Sequence, residues 1–362
     1  MTPEPTKTAQ APVIQPLPDL APYKIPDATF WSNPDRGSDP LATDLIGDHS
    51  GILIDAPKRV YTDLRKTLPA GIYHHGSARE LSAVPFAKHG ALVLVNCSEN
   101  KIYAATGRAV AANNPRRGRK PVDPDSIGEA AVSIAYAAEL RSCLDLPWRA
   151  GQYTMMAILR DRVSNKVSIE LMRTEGAYND PAVRSYEREL RAKRNPPTID
   201  PPPGNPMPSY RKSAQSPALT KEPGLFLDAP RIVDLKRDAR ATLRGAFRTR
   251  ALPEEILKPD YLTPLYLENP KEQKPTAIVT VNLLLLGSDD GHIAVVQLHV
   301  PIYEPISWTP PDGELPVVNG YFNLNMLRLP GVSRKPQTYF IYAFSGELMA
   351  GPCPCALVAL DD

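Results

Sequence analysis

The chain has 362 residues, a formal net charge of +2 from 42 basic and 40 acidic side chains, and a hydrophobic fraction of 42%. This balance gives no global attraction to nucleic acid or to an anionic membrane, and no stretch approaches the ~18 consecutive apolar residues of a transmembrane helix. The 41 prolines, about 11% of the chain against a usual ~5%, cannot occupy helix interiors or central strands. The composition therefore favours a loop-rich all-β protein.

Residues 1–43 are rich in proline and polar side chains, which predicts an irregular segment ahead of the first domain. Residues 1–22 have neither the basic region nor the apolar region of a signal peptide, so we expect a cytoplasmic protein. The four cysteines, Cys97, Cys143, Cys353 and Cys355, lack the spacing of a disulfide framework. We expect them to be reduced and structural.

An internal repeat dominates the sequence. Residues 51–60 (GILIDAPKRV) match residues 224–233 (GLFLDAPRIV) at an offset of 173 positions, with Gly, Asp, Ala, Pro and Val identical. Residues 91–96 (ALVLVN) pair with residues 277–282 (AIVTVN) at an offset of 186. The change of offset implies about a dozen extra residues in the second copy, near 252–274, where a loop insertion is expected.

The offset of 186 continues towards the end of each copy. It pairs Val132 with Val318, Tyr136 with Phe322, Tyr153 with Tyr339 and Ala157 with Ala343. Several matching blocks in one order predict a tandem duplication. Its copies occupy residues 44–175 and 224–362, and the stretch 176–223 joins them.

The joining stretch has two parts. Residues 182–194 are charged and rich in helix formers, and Glu187 and Arg191 have the favourable i,i+4 order of an exposed helix. Residues 196–223 contain nine prolines among polar residues, which indicates a semi-extended linker. A spacer is the expected role, with a docking motif for proline-binding modules as the alternative.

Each copy has the pattern of short strands separated by turns. Apolar runs lead into the hairpin turns 98–100 and 287–291, and each copy closes on a tyrosine-led strand that follows a Leu-Pro turn. Tyr153 and Tyr339 resemble the tyrosine corner of Greek-key sandwiches, where the hydroxyl bonds back to the preceding turn. At the level of fold alone, each copy resembles immunoglobulin-like and fibronectin-type-III-like domains. The predicted fold is all-β, with two duplicated sandwiches joined by a short helix and a Pro-rich linker.

A long connection interrupts each copy at the same place. Residues 107–128 carry a basic run, Arg116, Arg117, Arg119 and Lys120. Residues 301–316 are acidic and aromatic, with Tyr303 and Trp308 as candidate contact residues. They are either solvated loops that diverged or binding surfaces on a rigid scaffold, and their opposite charges would let them meet within or between chains.

No catalytic motif is visible: the chain has no Gly-x-Ser-x-Gly elbow, His-Glu-x-x-His helix or Walker loop. His74 and His75, perhaps with His89, are weak metal candidates, because adjacent strand residues point to opposite faces. Asp44, Asp48 and Asp55 match no calcium loop. The basic run has no interleaved aromatic residues, so nucleic acid is not expected, and neither is a cofactor.

Three hypotheses follow from the sequence. The first is a non-catalytic protein that binds another protein or assembles with itself. The second is a carbohydrate or small-ligand module that uses Trp148, Tyr303 and Trp308 as a stacking platform. The third is an enzyme whose residues converge only in three dimensions. If the duplication is functional, we expect the two copies to pack together within the chain around a pseudo-two-fold axis.

Overall fold

The computed structural model describes residues 51–62, 68–97, 99–112, 130–173, 209–238, 240–251, 275–289, 291–303 and 315–360. The predicted helix at 182–194, residues 196–208 of the linker, the insertion at 252–274 and the N-terminal segment lie outside these residues. The part that is described is mostly strand, as predicted, and it forms two β-sandwiches.

In its described residues, the first sandwich, residues 51–173, contains nine strands and four short helices. The strands are β1 Gly51–Asp55, β2 Arg59–Tyr61, β3 Pro69–Ser77, β4 Gly90–Asn96, β5 Lys101–Thr106, β6 Ala131–Glu139, β7 Gly151–Leu159, β8 Arg162–Val163 and β9 Val167–Met172. The helices are α1 Ala78–Ala83, α2 Phe86–His89, α3 Gly107–Ala112 and α4 Leu140–Leu144. None of these helices was predicted, and α3 occupies the start of the expected loop 107–128.

The described part of the second sandwich, residues 224–358, contains eight strands and one 3-10 helix. Its strands are β10 Gly224–Asp228, β11 Ile232–Asp234, β12 Thr242–Arg250, β13 Ala277–Gly287, β14 Ile293–Ile302, β15 Val317–Asn325, β16 Gln337–Ser345 and β17 Leu348–Val358. The 3-10 helix is Met326–Arg328. Residues 209–216 precede the second sandwich in the chain and run beside its strand β15, where Ser209 pairs with Asn323.

The two sandwiches have the same sheet topology. A three-stranded sheet has the order β1-β3-β6 in the first and β10-β12-β15 in the second. The facing five-stranded sheet has the order β2-β9-β7-β4-β5 in the first, with β8 attached to β7, and β11-β17-β16-β13-β14 in the second. In both, the first strand of the five-stranded sheet runs parallel to the last strand of the sandwich, while the other pairs are antiparallel. This is the strand arrangement of immunoglobulin-like sandwiches.

The strand registers also correspond. Val60 pairs with Leu171 as Val233 pairs with Leu357, and Gly76 pairs with Val132 as Thr249 pairs with Val318. Tyr153 and Tyr339 occupy the same position on their strands, opposite Ile169 and Cys355. These correspondences are what an internal duplication predicts.

One predicted correspondence is wrong. Leu92 pairs with Ala157 and Leu283 pairs with Ala343, so β4 aligns with β13 at an offset of 191, not 186. The stretch 91–96 therefore corresponds to 282–287, and the second sandwich carries about 18 extra residues ahead of the equivalent of β4, of which about four lie at the start of β13. These extra residues of β13 attracted the sequence match. The hairpin turns are the more reliable marker, because the same number of residues separates Asn96 from Lys101 and Gly287 from His292.

Each sandwich has its own core between its two sheets. The first core includes Ile72, Leu92 and Tyr153, and the second includes Phe247, Leu283 and Tyr339, all 1% exposed or less. Cys355 is also fully buried in the second core, where burial raises the pKa of its thiol to about 12. No disulfide joins cysteines among the described residues, and Cys353 and Cys355 lie in the second core.

Candidate functional site

A third apolar cluster lies between the two sandwiches, on the outer faces of the two five-stranded sheets. Strands β4, β5 and β7 contribute six buried side chains from the first sandwich, and β13 and β16 contribute four from the second. The ten are Ala91, Val93, Val95, Ile102, Met156, Ile158, Leu284, Leu286, Tyr342 and Phe344. None is more than 5% exposed, so the two copies pack against each other as predicted.

Asn100, in the β4–β5 hairpin, makes four hydrogen bonds to the second sandwich. Its side-chain amide donates to the carbonyl of Thr280 at 2.6 Å and to Oγ of Ser345 at 3.3 Å. Its side-chain oxygen accepts from the backbone N–H of Gly346 at 2.8 Å. Its main-chain carbonyl accepts from the side chain of Asn282 at 2.8 Å. One buried residue therefore satisfies polar groups on three segments of the other half.

Two further bonds cross the contact. Nδ1 of His89 donates to the carbonyl of Ser288 at 2.5 Å, and the hydroxyl of Tyr342 donates to the carbonyl of Arg160 at 2.6 Å. Burial lowers the pKa of His89 against an opposing effect of this bond. Burial also raises the pKa of Tyr342 far above its usual value. Both side chains are therefore uncharged at neutral pH.

The contact uses equivalent residues from both sides. Val93 and Leu284 occupy the same position on β4 and β13, and Met156 and Tyr342 occupy the same position on β7 and β16. A surface that meets its own counterpart is an isologous contact around a two-fold axis. The structure thus contains the predicted pseudo-two-fold arrangement.

The two sandwiches lie antiparallel across this contact. The hairpin end of the first sandwich, at Asn100, touches Thr280 and Gly346 near the opposite end of the second. Conversely, His89, the last residue of α2 and directly before β4, touches Ser288 in the β13–β14 hairpin. The long connections after β5 and β14 therefore start at opposite ends of the particle.

The predicted binding residues in these connections are only partly described. Arg116, Arg117, Arg119, Lys120 and Trp308 lie outside the described residues. Tyr303 follows β14 and is 41% exposed. Burial, with a smaller contribution from Tyr303, raises the pKa of Tyr210 to about 12, which places Tyr303 near the segment that runs beside β15.

Trp148, the remaining aromatic candidate, is engaged within the first sandwich. Its indole Nε1 donates to the carbonyl of Thr62 at 2.8 Å. The guanidinium of Arg141 lies 5.4 Å from the ring centroid, where a cation–π interaction is favourable. One edge and one face of the ring are therefore occupied, which leaves little of it for stacking on a ligand.

The histidine candidates do not converge on a common point. His74 is buried in the first sandwich, where burial, followed by the charge of Arg162, lowers its pKa to about 4. His75 is half-buried at the next position of β3, and His89 bonds to Ser288 across the contact. The described part of the chain contains no group of three or more His, Cys, Asp or Glu side chains placed to hold a metal.

The tyrosine corner is present in the second sandwich. The hydroxyl of Tyr339 accepts from the backbone N–H of Ser333 at 2.8 Å and donates to its carbonyl at 3.2 Å. The side-chain amide of Gln337 donates to the same hydroxyl at 2.9 Å. Tyr339 is fully buried, and this confirms the prediction for the second copy.

The prediction is wrong for the first copy. Tyr153 is 1% exposed, but its hydroxyl bonds to no backbone group in the preceding turn, and it is one of the buried polar atoms without a partner. Burial raises its pKa to about 12, while the nearby guanidinium of Arg149 acts in the opposite direction. Arg149 itself pairs with Glu99. The Arg149–Glu99 pair therefore lies near the hydroxyl of Tyr153. In the second sandwich, the equivalent hydroxyl of Tyr339 bonds to a backbone turn instead.

Sequence reasoning missed the residues that join the two halves. Asn100 was identified only as a turn residue, and Asn282 only as the end of a strand match. Asn282 was the available signal, because it and Thr280 are the two polar residues of the otherwise apolar stretch 277–287. Its meaning depends on the second sandwich, which no local pattern shows.

Comparisons with known proteins give fold-level likeness only. No family model and no curated protein matches the chain. Among solved structures, the chain is similar to a segment of two fibronectin type-III domains from chicken tenascin, with 10% identity, coverage of 84% of this chain and 96% of that one, and a TM-score of 0.14. It is also similar to the BSP domain of a biofilm-associated protein, with 8% identity, coverage of 85% and 58%, and a TM-score of 0.15.

A bacterial adhesin from Mobiluncus mulieris gives a similar result, with 8% identity, coverage of 82% and 79%, and a TM-score of 0.15. These TM-scores are low, so the immunoglobulin-like classification is based on the strand order and registers given above. Among the described helices, the longest of which has six residues, none could cross a membrane.

Proposed function

We propose that this chain is a non-catalytic binding or assembly protein, in which two sandwiches form one rigid unit with a different loop-bearing surface at each end. The antiparallel contact between the five-stranded sheets is the observation that supports this proposal. It buries the faces that two tethered sandwiches would otherwise leave open, and it places the ends of β5 and β14, after which the two long connections begin, at opposite ends of the particle.

The two ends differ in charge. The connection after β5 contains the run Arg-Arg-Gly-Arg-Lys at 116–120, and the connection after β14 contains Glu304, Asp312 and Glu314 and no basic residue. Complementary patches steer association and fix its orientation. Because β5 and β14 end at opposite ends of the particle, attraction between the two connections favours head-to-tail contact between copies over contact within one chain.

Sedimentation velocity tests this assembly. We expect the weight-average sedimentation coefficient to rise with protein concentration at about 50 mM salt and to fall back at about 500 mM, where charges are screened over a few ångströms. Arg116→Glu, Arg117→Glu and Arg119→Glu together should abolish the rise. Adding Asp312→Lys and Glu314→Lys to that chain should restore it, because the complementarity is then reversed and intact.

A matched control makes the same change of net charge elsewhere. Lys58, Lys221 and Arg240 are exposed, so Lys58→Glu, Lys221→Glu and Arg240→Glu should leave the concentration dependence unchanged. A wild-type chain that stays monomeric at every concentration in low salt would contradict self-assembly. If the control and the loop variant lost the concentration dependence equally, the effect would come from net charge in general and not from the loop.

A further inference from the structure

The two hairpins at the contact between the sandwiches differ at one equivalent position. Asn100 precedes Lys101 in the β4–β5 hairpin, and Gly291 precedes His292 in the β13–β14 hairpin. Both adopt left-handed backbone conformations, with φ of 47° and 63°. The pseudo-two-fold axis relates these positions, but one carries a side chain with two donors and an acceptor and the other carries none.

Only glycine fits at position 291. A Cβ atom there would lie 2.0 Å from the carbonyl oxygen of Lys88, which belongs to the backbone just before β4. Backbone cannot rotate away as a flexible side chain can, so any larger residue requires the two sandwiches to separate. The first sandwich therefore accepts a hairpin with glycine at this position.

The second sandwich instead presents groups that need the asparagine. The carbonyl of Thr280, the hydroxyl of Ser345 and the backbone N–H of Gly346 all bond to the side chain of Asn100. Without that side chain, the backbone N–H of Gly346 would face the contact without this partner, while the hydroxyl of Ser345 and the carbonyl of Thr280 would keep their bond to each other. A buried polar group left unsatisfied is destabilising.

We propose that Asn100 and Gly291 make this surface selective, so that the face of the first sandwich binds a second sandwich and rejects a copy of itself. A pair of first sandwiches would place Asn100 of each against Lys88 of the other, where a Cβ atom already collides. A pair of second sandwiches would leave Thr280, Ser345 and Gly346 facing glycine. The partner that fits the face, in this chain or in another copy, is the other half, and this inference does not depend on the proposed loop-mediated assembly.

The first test compares Gly291→Ala with Gly331→Ala in the full chain. Both changes place a Cβ on a left-handed residue, with φ of 63° and 80°. A Cβ at Gly331 would have its nearest atom, Cβ of Ala294, at 3.3 Å, so this control carries the backbone strain without a collision with backbone across the contact. We expect small-angle scattering to show two separated bodies for Gly291→Ala and the wild-type compact profile for Gly331→Ala.

The second test concerns the rejected pair. In the Gly291→Ala chain the face of the first sandwich is uncovered, but Asn100 should prevent two such faces from pairing, and the chain should sediment as a monomer. Adding Asn100→Gly gives the first sandwich the hairpin that its own face accepts. The double variant should therefore form a dimer whose fraction rises with concentration, measured at about 500 mM salt to suppress charge-driven contacts.

Three outcomes would overturn the proposal: a Gly291→Ala chain as compact as the Gly331→Ala control, equal dimerisation of the Gly291→Ala chain and the double variant, or a double variant that stays monomeric. Asn100→Gly alone tests the other half of the argument without adding atoms. It should shift the scattering profile towards separated bodies, and an unchanged profile together with an unchanged unfolding midpoint would contradict the role of the amide.

Discussion

The two equivalent tyrosines should respond oppositely to loss of the hydroxyl. In Tyr339→Phe, the N–H and the carbonyl of Ser333 and the amide of Gln337 lose a buried partner. One hydrogen bond contributes about 1 kcal/mol net, and a buried group left without a partner costs about 1–3 kcal/mol, so we expect a loss of about 2 kcal/mol. Tyr153→Phe removes a buried hydroxyl that has no partner, so we expect no loss, or a gain of a few tenths of a kcal/mol.

Urea unfolding of both variants, followed by circular dichroism, gives the comparison through the midpoint at constant slope. Tyr61→Phe is the control, because Tyr61 is 40% exposed and should give the wild-type midpoint. Equal losses from Tyr339→Phe and Tyr153→Phe would refute the reasoning, since they would show that burial of the ring, and not the bonds of the hydroxyl, decides the effect.

Three further changes should have effects of defined size and direction. The pKa of His74 is lowered to about 4 in the folded chain, so the unfolded chain takes up the proton first as the pH falls. About 3 kcal/mol of stability should therefore be lost between pH 6.5 and 4. In urea melts at a series of pH values, the unfolding free energy of His74→Phe should depend less on pH than that of the wild type. Glu139→Ala should cost about 1–2 kcal/mol in thermal melts, because its carboxylate accepts from three backbone N–H groups, while Glu139→Gln should cost less. Leu284→Ala should cost about 3 kcal/mol and loosen the contact between the sandwiches, whereas Ile232→Ala, at 65% exposed, should change neither the urea midpoint nor the scattering profile. A wild-type unfolding free energy that does not change between pH 6.5 and 4 would contradict the argument for His74. An unchanged melting temperature for Glu139→Ala would contradict the argument for its carboxylate. Equal effects of Leu284→Ala and Ile232→Ala would contradict the argument for the contact.

Much of the fold could be predicted because turns and alternating strands are local features. The Gly-x-x-x-Asp-Ala-Pro block, the hairpin turns and the tyrosine-led strands all appear where expected. The alignment of β4 with β13 failed because apolar strands resemble one another, and a shift by an odd number of residues exchanges the two faces. Leu283 and Leu285 face the core and Leu284 and Leu286 face the other sandwich, and the sequence gives no sign of which is which.

The site was harder to predict than the fold. The strands β4, β7, β13 and β16 are apolar on both faces, and an apolar run in the sequence does not show what covers the second face. Runs that are buried on both faces indicate a layered contact, as they do in parallel sheets. Tyr153 and Tyr339 show a different limit, because equivalent residues in a repeat can meet different neighbours.

The contact between the two sandwiches is the central claim, and small-angle scattering on the monomeric fraction of the full chain tests it most directly. The antiparallel contact predicts a pair-distance distribution with one main maximum, and Leu284→Asp should convert it to two maxima, because a buried charge without a partner forces the faces apart. Two maxima in the wild-type chain, at separations that vary with conditions, would contradict the account and would mean two independent sandwiches on a tether.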